Sequence, residues 1–387
     1  MKDIFIVGSK GIPAKYGGFE TFVDNLVTRQ QSPKLKYHVA CMTFDKQTKD
    51  YDYHGADCHE ISIPNIGGAK AVLYDLKALN WAYGEIKKKG LRDGIVYILA
   101  CRVGPFIHSY LPKFHRYGFQ VWVNPDGHEW KRAKWSKPVR SYWKHSERLM
   151  VKHADELICD SKSIEQYIQH DYAQYQPKTA FIAYGADVTT SPLMADERKV
   201  RNWYQRFGVK ENEYFLVVGR FVPENNFATM VREFMKSTVK KDLVLITNVE
   251  HNQFYDELKA ETHFDQDPRV KFVGTVYDQD LLKYIREHAF GYLHGHSVGG
   301  TNPSLLEALG STKLNLLLNV GFNQEVGEDA ALYWSKDEGN LKQLLEDSIT
   351  LPKEEIARLD QKSTQRITDA YSWDGIVARY EKEFLNG

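Results

Sequence analysis

The sequence has little cysteine and no excess charge of either sign. Its four cysteines include no pair spaced as CxxC, so we expect neither a zinc knuckle nor a redox pair, and free thiols suit a reducing cytosol. Basic and acidic residues both number 51, so no whole-chain field attracts nucleic acid. No run of about 18 apolar residues is present, and the first residues lack a signal peptide's apolar stretch. We therefore expect a cytoplasmic protein that does not bind nucleic acid.

Short apolar runs alternate with longer helical patterns over 387 residues, which predicts βαβ units with parallel sheets in two domains. The predicted strands are 4–9, 37–44, 56–63, 94–100, 119–124, 156–161 and 179–185, then 213–220, 243–249, 270–274, 289–295, 314–319 and 331–335. The predicted helices are 19–30, 70–89, 104–117, 137–154 and 163–170, then 226–239, 253–262, 278–287, 303–311 and 338–349.

A polar stretch with proline, 189–197, separates the two sets of elements. We predict an N-terminal domain over 1–190 and a C-terminal domain over 191–370. The last helix, 371–387, would pack back across the join. Parallel sheets bind ligands at the carboxyl ends of their strands, so two facing domains would share a cleft.

The first predicted strand is followed by KGIPAKYGGFE, with Gly17 and Gly18 directly before a helix. Glycines at a strand-to-helix junction allow a ligand close to the backbone, and the free N–H groups of a helix start attract an anion. The spacing is not GxGxxG, so a dinucleotide site is not expected. A glycine-rich turn with a helix cap is the alternative.

Two further motifs follow strands in the second half. In HSVGGTNPSLLEALG, Gly300, Thr301 and Asn302 precede a helix with proline at its first position, and Glu307 lies one turn inside. Backbone amides there would hold a diphosphate and the glutamate would accept ribose hydroxyls; a capped helix with a solvated glutamate is the alternative. In VVGRFVPENN, Arg220 ends a strand and suits diphosphate charge, although alone it could be a surface arginine. Together the three motifs favour a diphosphate ligand.

These motifs resemble the retaining glycosyltransferases of family 4, over nearly the whole chain. GGFE, VVGRFVPE and PSLLEAL carry the resemblance, which implies the GT-B fold: two Rossmann-like doubly wound domains facing a cleft. The resemblance also implies that 1–190 is the acceptor-side domain and 191–370 the nucleotide-sugar-binding domain. GIPAKYGGFETFV, NPDGHEWKRAKWSKPVR and HSVGGTNPSLLEA resemble a bacterial rhamnosyltransferase subgroup. That likeness implies transfer of L-rhamnose from dTDP-β-L-rhamnose to a polyprenyl-diphosphate-linked GlcNAc or Glc, with a β-1,4 linkage, in cell-wall or capsular polysaccharide biosynthesis.

Two positions depart from the family pattern. Gly299 stands where the family usually has a glutamate, and Asn225 where it usually has a lysine. The resemblance then leaves Arg220, with Lys10 or Lys15, to hold the diphosphate. Contacts to the donor sugar would come from Gly300, Thr301 or Asn302. A 6-deoxy sugar has no 6-hydroxyl to bind, which is compatible with the lost glutamate.

The candidate catalytic residues follow two neighbouring strands of the first half. In NPDGHEW, Asp126 would act as base or orient the acceptor hydroxyl, with His128 and Glu129 as weaker candidates. An Asx turn of Asp126 with Gly127 is the alternative. Asp160 ends the next strand, where a cap shared with the following serine is the alternative.

No carboxylate is convincingly placed as nucleophile, so we expect same-face substitution assisted by the leaving diphosphate. Arg220 and helix starts would stabilise the developing charge. No DxD motif stands where it would hold a metal, because Asp265-Gln266-Asp267 lies in a predicted loop of the second half. We therefore expect no metal and no other cofactor.

The segment 130–152 combines basic and aromatic residues. From Arg140, basic residues repeat every fourth position through Lys144 and Arg148, and Trp143 lies on a neighbouring face. We predict an interfacial patch for an anionic membrane and the acceptor's diphosphate, at the inner face of the plasma membrane. A helix with a solvated basic side is the alternative.

Other functions remain open at this point. A family 4 transferase using a UDP- or GDP-sugar is the nearest alternative. A nucleotide-sugar-binding protein without activity and an epimerase are the others. A homodimer is possible for any of them.

Overall fold

A computed structural model describes residues 1–15, 17–132, 135–249 and 253–387. The chain forms two compact units. The first unit contains Met1–Gly185 and Trp373–Gly387, and the second contains Ala186–Ser372.

The first unit is built on an eight-stranded sheet with the order β3-β4-β2-β1-β5-β6-β7-β8. Its strands are β1 (Lys2–Val7), β2 (Leu35–Thr43), β3 (Asp50–Tyr53), β4 (Ala56–Ser62), β5 (Gly94–Leu99), β6 (Phe119–Asn124), β7 (Glu156–Cys159) and β8 (Thr179–Phe181). All neighbours pair in parallel except β3, which runs antiparallel to β4. Every residue of β5 is buried, as a parallel strand covered on both faces requires.

The helices of the first unit are α1 (Gly18–Thr28), α2 (Lys70–Lys89), α3 (Gly104–Ile107), α4 (Leu111–His115), α5 (Lys137–His153), α6 (Lys162–Asp171) and, at the carboxyl end of the chain, α15 (Trp373–Asn386). The single helix predicted over 104–117 is wrong, because the chain forms α3 and α4 there instead. Pro112 lies in the first turn of α4, where its missing N–H costs nothing but where a continuous helix would be interrupted.

Strand β3 was not predicted from the sequence. Its residues, DYDY, alternate between exposed and half-buried and include no aliphatic side chain. It pairs with β4 through a two-residue turn in which His54 and Gly55 both have positive φ, at 50° and 86°. This turn geometry favours a hairpin, so the local turn and not apolar burial forms the strand.

The second unit is built on a parallel six-stranded sheet with the order β11-β10-β9-β12-β13-β14. Its strands are β9 (Tyr214–Val218), β10 (Asp242–Ile246), β11 (Val270–Gly274), β12 (Gly291–His294), β13 (Asn315–Leu318) and β14 (Leu332–Trp334). Its helices are α7 (Arg198–Phe207), α8 (Phe227–Lys236), α9 (Gln253–Thr262), α10 (Gln279–Glu287), α11 (Pro303–Leu309), α12 (Gly321–Gly327), α13 (Asn340–Ile349) and α14 (Lys353–Arg366).

Helix α15 packs against α1 and the sheet of the first unit. The ring of Tyr380 lies 4.8 Å from that of Phe22, and the ring of Phe384 lies 5.6 Å from that of Trp122. The carboxylate of Glu381 accepts hydrogen bonds from the backbone N–H groups that follow α1. The last residues of the chain therefore complete the core that the first 185 residues begin.

Each sheet has a point where the strand order reverses. In the first unit it lies between β1 and β5, and in the second between β9 and β12. Loops after such strands diverge to opposite sides of the sheet and leave a crevice at its carboxyl edge, which is the usual ligand site of this architecture.

Candidate functional site

Two of the predicted donor motifs flank the reversal point of the second sheet. Gly219 and Arg220 follow β9, and the loop 295–302 follows β12, the strand beside it. The structure thus brings together, at one sheet edge, the arginine and the glycine-rich loop that were singled out from the sequence. A ligand in this crevice would meet both.

Arg220 is exposed at the end of β9, and Asn225 holds the backbone that carries it. The side-chain nitrogen of Asn225 donates to the carbonyl oxygen of Arg220 over 2.8 Å, and Asn225 itself is buried. Asn225 therefore helps to fix the backbone conformation at Arg220.

His296 packs on Gly219 and was missed by the sequence reasoning. A β-carbon on Gly219 would lie 3.1 Å from Cε1 of His296 and 3.7 Å from the side-chain nitrogen of Asn225. The ring of His296 stacks on that of His294 at 4.4 Å. Burial, with a contribution from His296, lowers the pKa of His294 well below its usual value, so His294 stays neutral. The sequence did contain a signal for His296, because a histidine stands there directly after a strand that borders the reversal point.

The glycine-rich loop is anchored to the segment after β9. The backbone N–H and the hydroxyl of Ser297 both donate to the carbonyl oxygen of Glu224, over 3.0 and 2.8 Å. Thr301 is buried and Gly300 is half-buried. Gly299 has a φ of 127°, which L side chains rarely adopt, so this backbone does not suit the glutamate that the family pattern has here.

Asn302 caps helix α11. Its side-chain oxygen accepts from the backbone N–H groups of Ser304 and Leu305, over 2.9 and 3.4 Å. These are amides that a free helix start would offer to an anion. Both of these N–H groups are thus already bonded to the Asn302 oxygen. The amides of the loop before the helix remain as the backbone groups to test for diphosphate binding.

Glu307 lies on α11 and forms an ion pair with Arg286 of α10. Nη2 of Arg286 lies 2.6 Å from Oε2 of Glu307. Arg286 is buried, whereas the Glu307 side chain keeps 37% of its exposure. Glu307 is therefore half-buried and paired with a buried cation, whereas the alternative given above was a solvated glutamate.

In the first unit, two carboxylates of α1 hold the loop after β1. Oε1 of Glu20 accepts from the backbone N–H of Lys10 over 2.7 Å, and Oδ2 of Asp24 accepts from that of Ala14 over 2.5 Å. The side chains of Lys10 and Lys15 are exposed. Glu20, the glutamate of GGFE, thus helps to fix the conformation of the loop between β1 and α1.

The loop itself requires some of the glycines that precede α1. Gly17 has a φ of 129°, and a β-carbon on it would lie 1.9 Å from Oε2 of Glu20. A β-carbon on Gly11 would lie 2.7 Å from the side chain of Cys41. Gly18 is the first residue of α1. Close packing within the loop is therefore sufficient to explain Gly11 and Gly17.

Residues with positive φ cluster after the adjacent strands β5 and β6. Ala100 has a φ of 75°, Asp126 of 62° and His128 of 49°. Backbones of this kind cost free energy and often mark functional loops. The side-chain oxygen of Asn124 accepts from the N–H of Asp126 over 2.8 Å, so Asn124 forms a turn that carries the half-buried Asp126.

Asp160 directly follows β7 and is buried, while the next residue caps the helix. Oγ of Ser161 accepts from the N–H of Ile164 over 3.1 Å, which makes Ser161 the N-cap of α6. The cap that was the alternative role for Asp160 is therefore made by the side chain of Ser161. Asp160 raises the pKa of Tyr97 and Tyr184 by its charge, in addition to the larger effect of their burial.

Arg102 follows β5 beside the reversal point of the first sheet and was also missed. Nη1 donates to the carbonyl oxygen of Gly8 over 2.9 Å and lies 3.2 Å from Oδ2 of the buried Asp75. Burial raises the pKa of Asp75 to about 6 although Arg102 opposes this. Burial lowers the pKa of Arg102, but the charges of Asp75 and Asp126 bring it above its usual value. The rule that selected Arg220, an arginine just past a strand, would also have found Arg102.

Lys144 points into an aromatic cage and not outward with the basic stripe. Its Nζ lies 4.5 Å from the ring centre of Trp130 and 5.0 Å from those of Tyr167 and Tyr172. It also donates to the hydroxyl of Tyr167 over 2.6 Å. The buried carboxylate of Glu147 lies behind the cage, 3.5 Å from Nζ, and accepts from both tyrosine hydroxyls. Lys144 is thus engaged within the unit.

The other two candidates from this segment, Glu129 and His128, both contact neighbouring side chains. Glu129 accepts from Nε1 of Trp135 over 2.8 Å and pairs with Arg132. The ring of His128 lies 4.0 Å from that of Tyr167 at an angle of 38°, and burial, Lys131 and Lys144 lower the pKa of His128 to about 4.

On α5, Arg140 and Trp143 are half-buried and Arg148 is exposed. Lys134, part of the predicted basic segment, lies outside the described residues. Within the described part of the chain, no helix is long and apolar enough to cross a membrane.

The first half of the chain matches a known family. Residues 1–187 match a family described as a domain of unknown function (DUF1972). No curated protein sequence matches the chain.

Solved structures share the fold over the whole chain. Sucrose-phosphate synthase from Thermosynechococcus elongatus is 14% identical with a TM-score of 0.76, covering 100% of this chain and 99% of its own. The UDP-forming α,α-trehalose-phosphate synthase from Burkholderia xenovorans, in complex with glucose-6-phosphate, is 10% identical with a TM-score of 0.76, covering 100% of both chains. HepE from Anabaena, in complex with UDP, is 14% identical with a TM-score of 0.70, covering 100% of both chains.

These likenesses and the two sheets confirm the predicted fold class, an α/β protein with two Rossmann-like doubly wound units of the GT-B type. At these identities the likeness concerns the fold.

Proposed function

We propose that this protein is a retaining glycosyltransferase that uses a nucleotide-sugar donor. The observation that carries the proposal is the pairing, at one reversal point, of exposed Arg220 with the glycine-rich loop and Glu307. Whole-chain similarity to enzymes whose names describe sugar-phosphate synthesis, and to HepE with UDP bound, supports the same function.

The donor proposed is dTDP-β-L-rhamnose and the acceptor a polyprenyl-diphosphate-linked GlcNAc or Glc, in cell-wall or capsular polysaccharide biosynthesis. The likeness of GIPAKYGGFETFV and HSVGGTNPSLLEA to the rhamnosyltransferase subgroup supports this choice. The loop at Gly299 is compatible with it, because a 6-deoxy sugar needs no partner for a 6-hydroxyl. A UDP-sugar is the second candidate, and the UDP complex of HepE favours it.

In the proposed reaction, the acceptor hydroxyl attacks the anomeric carbon from the face that the diphosphate leaves. The bond from that carbon to the diphosphate oxygen breaks, and the hydroxyl proton passes to the departing phosphate. Arg220 and the amides of the loop 299–301 stabilise the charge that develops there. Asp126, at the carboxyl edge of the first sheet, is proposed to orient the acceptor hydroxyl, and Asp160 is the second candidate.

The protein is further proposed to work at the cytoplasmic face of the membrane. The exposed basic residues around α5 support this part, whereas the caged Lys144 does not contribute to it. The exposed set consists of Lys131, Lys137, Arg148 and Lys152.

The test is product formation from dTDP-L-rhamnose and a polyprenyl-diphosphate GlcNAc acceptor, with EDTA present. We expect transfer by the wild type and loss of most activity in Arg220→Ala and Glu307→Ala. Lys313→Ala, a change near α11 outside both motifs, is the matched control. Wild-type turnover in both site variants would contradict the proposed donor site.

A further inference from the structure

Two loops at the carboxyl edge of the first sheet carry exposed apolar side chains. Phe44 directly follows β2 and is 54% exposed, and Ile66 lies between β4 and α2 and is 48% exposed. Strands β2 and β4 are neighbours that pair in parallel, so both loops leave the sheet at the same edge. Covering such side chains with another apolar phase is favourable, because it removes their surface from water.

The two loops meet at Lys70, the first residue of α2. Its Nζ lies 5.4 Å from the ring centre of Phe44, and it donates to the side-chain oxygen of Asn65, the neighbour of Ile66, over 3.2 Å. Single exposed apolar residues need no explanation, whereas adjacent ones rimmed by polar groups mark a contact surface. Phe44, Ile66 and Lys70 are therefore treated as one surface, the loop patch.

The loops that form this patch are basic. Residues 44–49 contain Lys46, Lys49 and a single acidic residue, and residues 63–70 contain Lys70 and no acidic residue. The side chains of Lys46 and Lys49 are exposed. Apolar side chains with lysines around them are complementary to an anionic lipid surface, where the apolar groups reach the acyl boundary and the ammonium groups meet the phosphates.

The loop patch continues into the basic segment before α5. A β-carbon on Gly68, in the second loop, would lie 3.7 Å from the ring of Trp135, and exposed Lys137 follows two residues later. The half-buried Trp143 of α5 is less available to a membrane than the side chains of the loop patch. The loop patch thus supplies the exposed apolar groups that the basic residues of α5 lack beside them.

We propose that the loop patch is a membrane-docking surface, in which Phe44 and Ile66 enter the headgroup region of an anionic bilayer. This inference rests on the proposed function, because it deepens the placement of the protein at a membrane with a lipid-linked acceptor. The loops lie at the sheet edge that also carries Asp126, just after β6. A sugar carried on a lipid would therefore be presented to the edge where its hydroxyl is proposed to react.

The first test is co-sedimentation of the purified full chain with vesicles of phosphatidylglycerol and phosphatidylcholine in equal parts. Replacing both Phe44→Ser and Ile66→Ser should lower the partition coefficient about thirtyfold, because two apolar side chains no longer leave water. Met194→Ser, which replaces a side chain that is 66% exposed in the second unit, is the matched control and should leave partition unchanged. Partition of the double variant equal to that of the wild type, or no partition of the wild type, would overturn the inference.

A second pair of changes tests the charge of the surface. Lys46→Gln with Lys70→Gln should lower partition on the anionic vesicles about tenfold and leave partition on pure phosphatidylcholine unchanged. Lys336→Gln, at an exposed lysine of the second unit, is the control. An effect no larger than that of the control would overturn the docking of this patch on anionic lipid. Loss of partition only in Arg148→Ser with Lys152→Ser would likewise overturn it and assign the contact to α5.

Two acceptors separate this inference from the proposed function. The variant with serine at both apolar positions should keep wild-type turnover on a soluble GlcNAc diphosphate that carries a short alkyl chain. On polyprenyl-diphosphate GlcNAc in anionic vesicles it should lose about tenfold or more, as its partition falls. Equal loss on both acceptors would contradict a docking role. Absence of transfer by the wild type to either acceptor would contradict the proposed function, and the partition measurements alone would then decide the docking surface.

Discussion

Replacing Lys144 by methionine should destabilise the first unit, because this lysine is enclosed by three aromatic rings. Its Nζ lies 4.5 to 5.0 Å from the ring centres of Trp130, Tyr167 and Tyr172. At a partly exposed site each such contact contributes about 0.5 kcal/mol. Loss of the cation also removes the positive charge that lies 3.5 Å from the buried carboxylate of Glu147. With the exposed fraction of 39% discounted, we expect a loss of about 2 kcal/mol in the free energy of unfolding.

The assay is urea unfolding followed by tryptophan fluorescence, because Trp130 forms one wall of the cage. A loss of about 2 kcal/mol corresponds to roughly a thirtyfold change in the unfolding constant. Arg148→Met, one turn further on the same helix and exposed, is the matched control and should change stability by less than about 0.5 kcal/mol. Equal stability of Lys144→Met and the control would refute the cage. Reduced binding of folded Lys144→Met to anionic vesicles would show that the lysine faces the membrane after all.

Three further predictions concern charge and chemistry. The pKa of His128 is lowered to about 4, so below its unfolded value near 6.5 the unfolded state binds a proton that the folded state does not. The full shift corresponds to roughly 3 kcal/mol, and with the partial exposure of His128 discounted we expect the free energy of unfolding to fall by about 2 kcal/mol between pH 6.5 and 4. His128→Gln should show a smaller slope in urea midpoints measured across that range. Asn124→Ala removes the acceptor for the N–H of Asp126, so we expect the rate of sugar transfer to fall more than tenfold while the fold is retained. Turnover measures the first effect and circular dichroism the second. Unchanged turnover would exclude the Asp126 loop from the reaction. EDTA should leave turnover unchanged if the diphosphate charge is met by Arg220 and backbone amides alone, and an activity restored only by added Mg²⁺ would contradict that expectation.

The fold was largely predictable because the central strands of both sheets are buried on both faces. Continuous apolar runs such as GIVYIL and YFLVV can lie only inside a parallel sheet, and each was predicted within two residues of its bounds. Strand β3 escaped because a hairpin turn and not hydrophobic burial forms it. Helix α7 was not predicted because its sequence, RKVRNWYQRF, is mostly polar and only a narrow stripe of its side chains is buried.

The candidate site was predictable where a residue's place in a motif gives its position. Arg220 and Glu307 follow directly from strand and helix ends in the sequence. Arg286 could not be found in this way, since it lies 21 residues before Glu307 on another helix and meets it only through the packing of α10 against α11. The aromatic cage of Lys144 likewise needs side chains from α6, which no spacing on α5 reveals.

The most direct test of the account is a competition among donors. The purified protein would be incubated with a polyprenyl-diphosphate GlcNAc acceptor and an equimolar mixture of dTDP-L-rhamnose, UDP-glucose, UDP-GlcNAc and GDP-mannose, and the product identified by mass. The account predicts a product that carries a single added rhamnose, formed with retention at the anomeric carbon. A product carrying a hexose or GlcNAc, or no product from any donor, would contradict it.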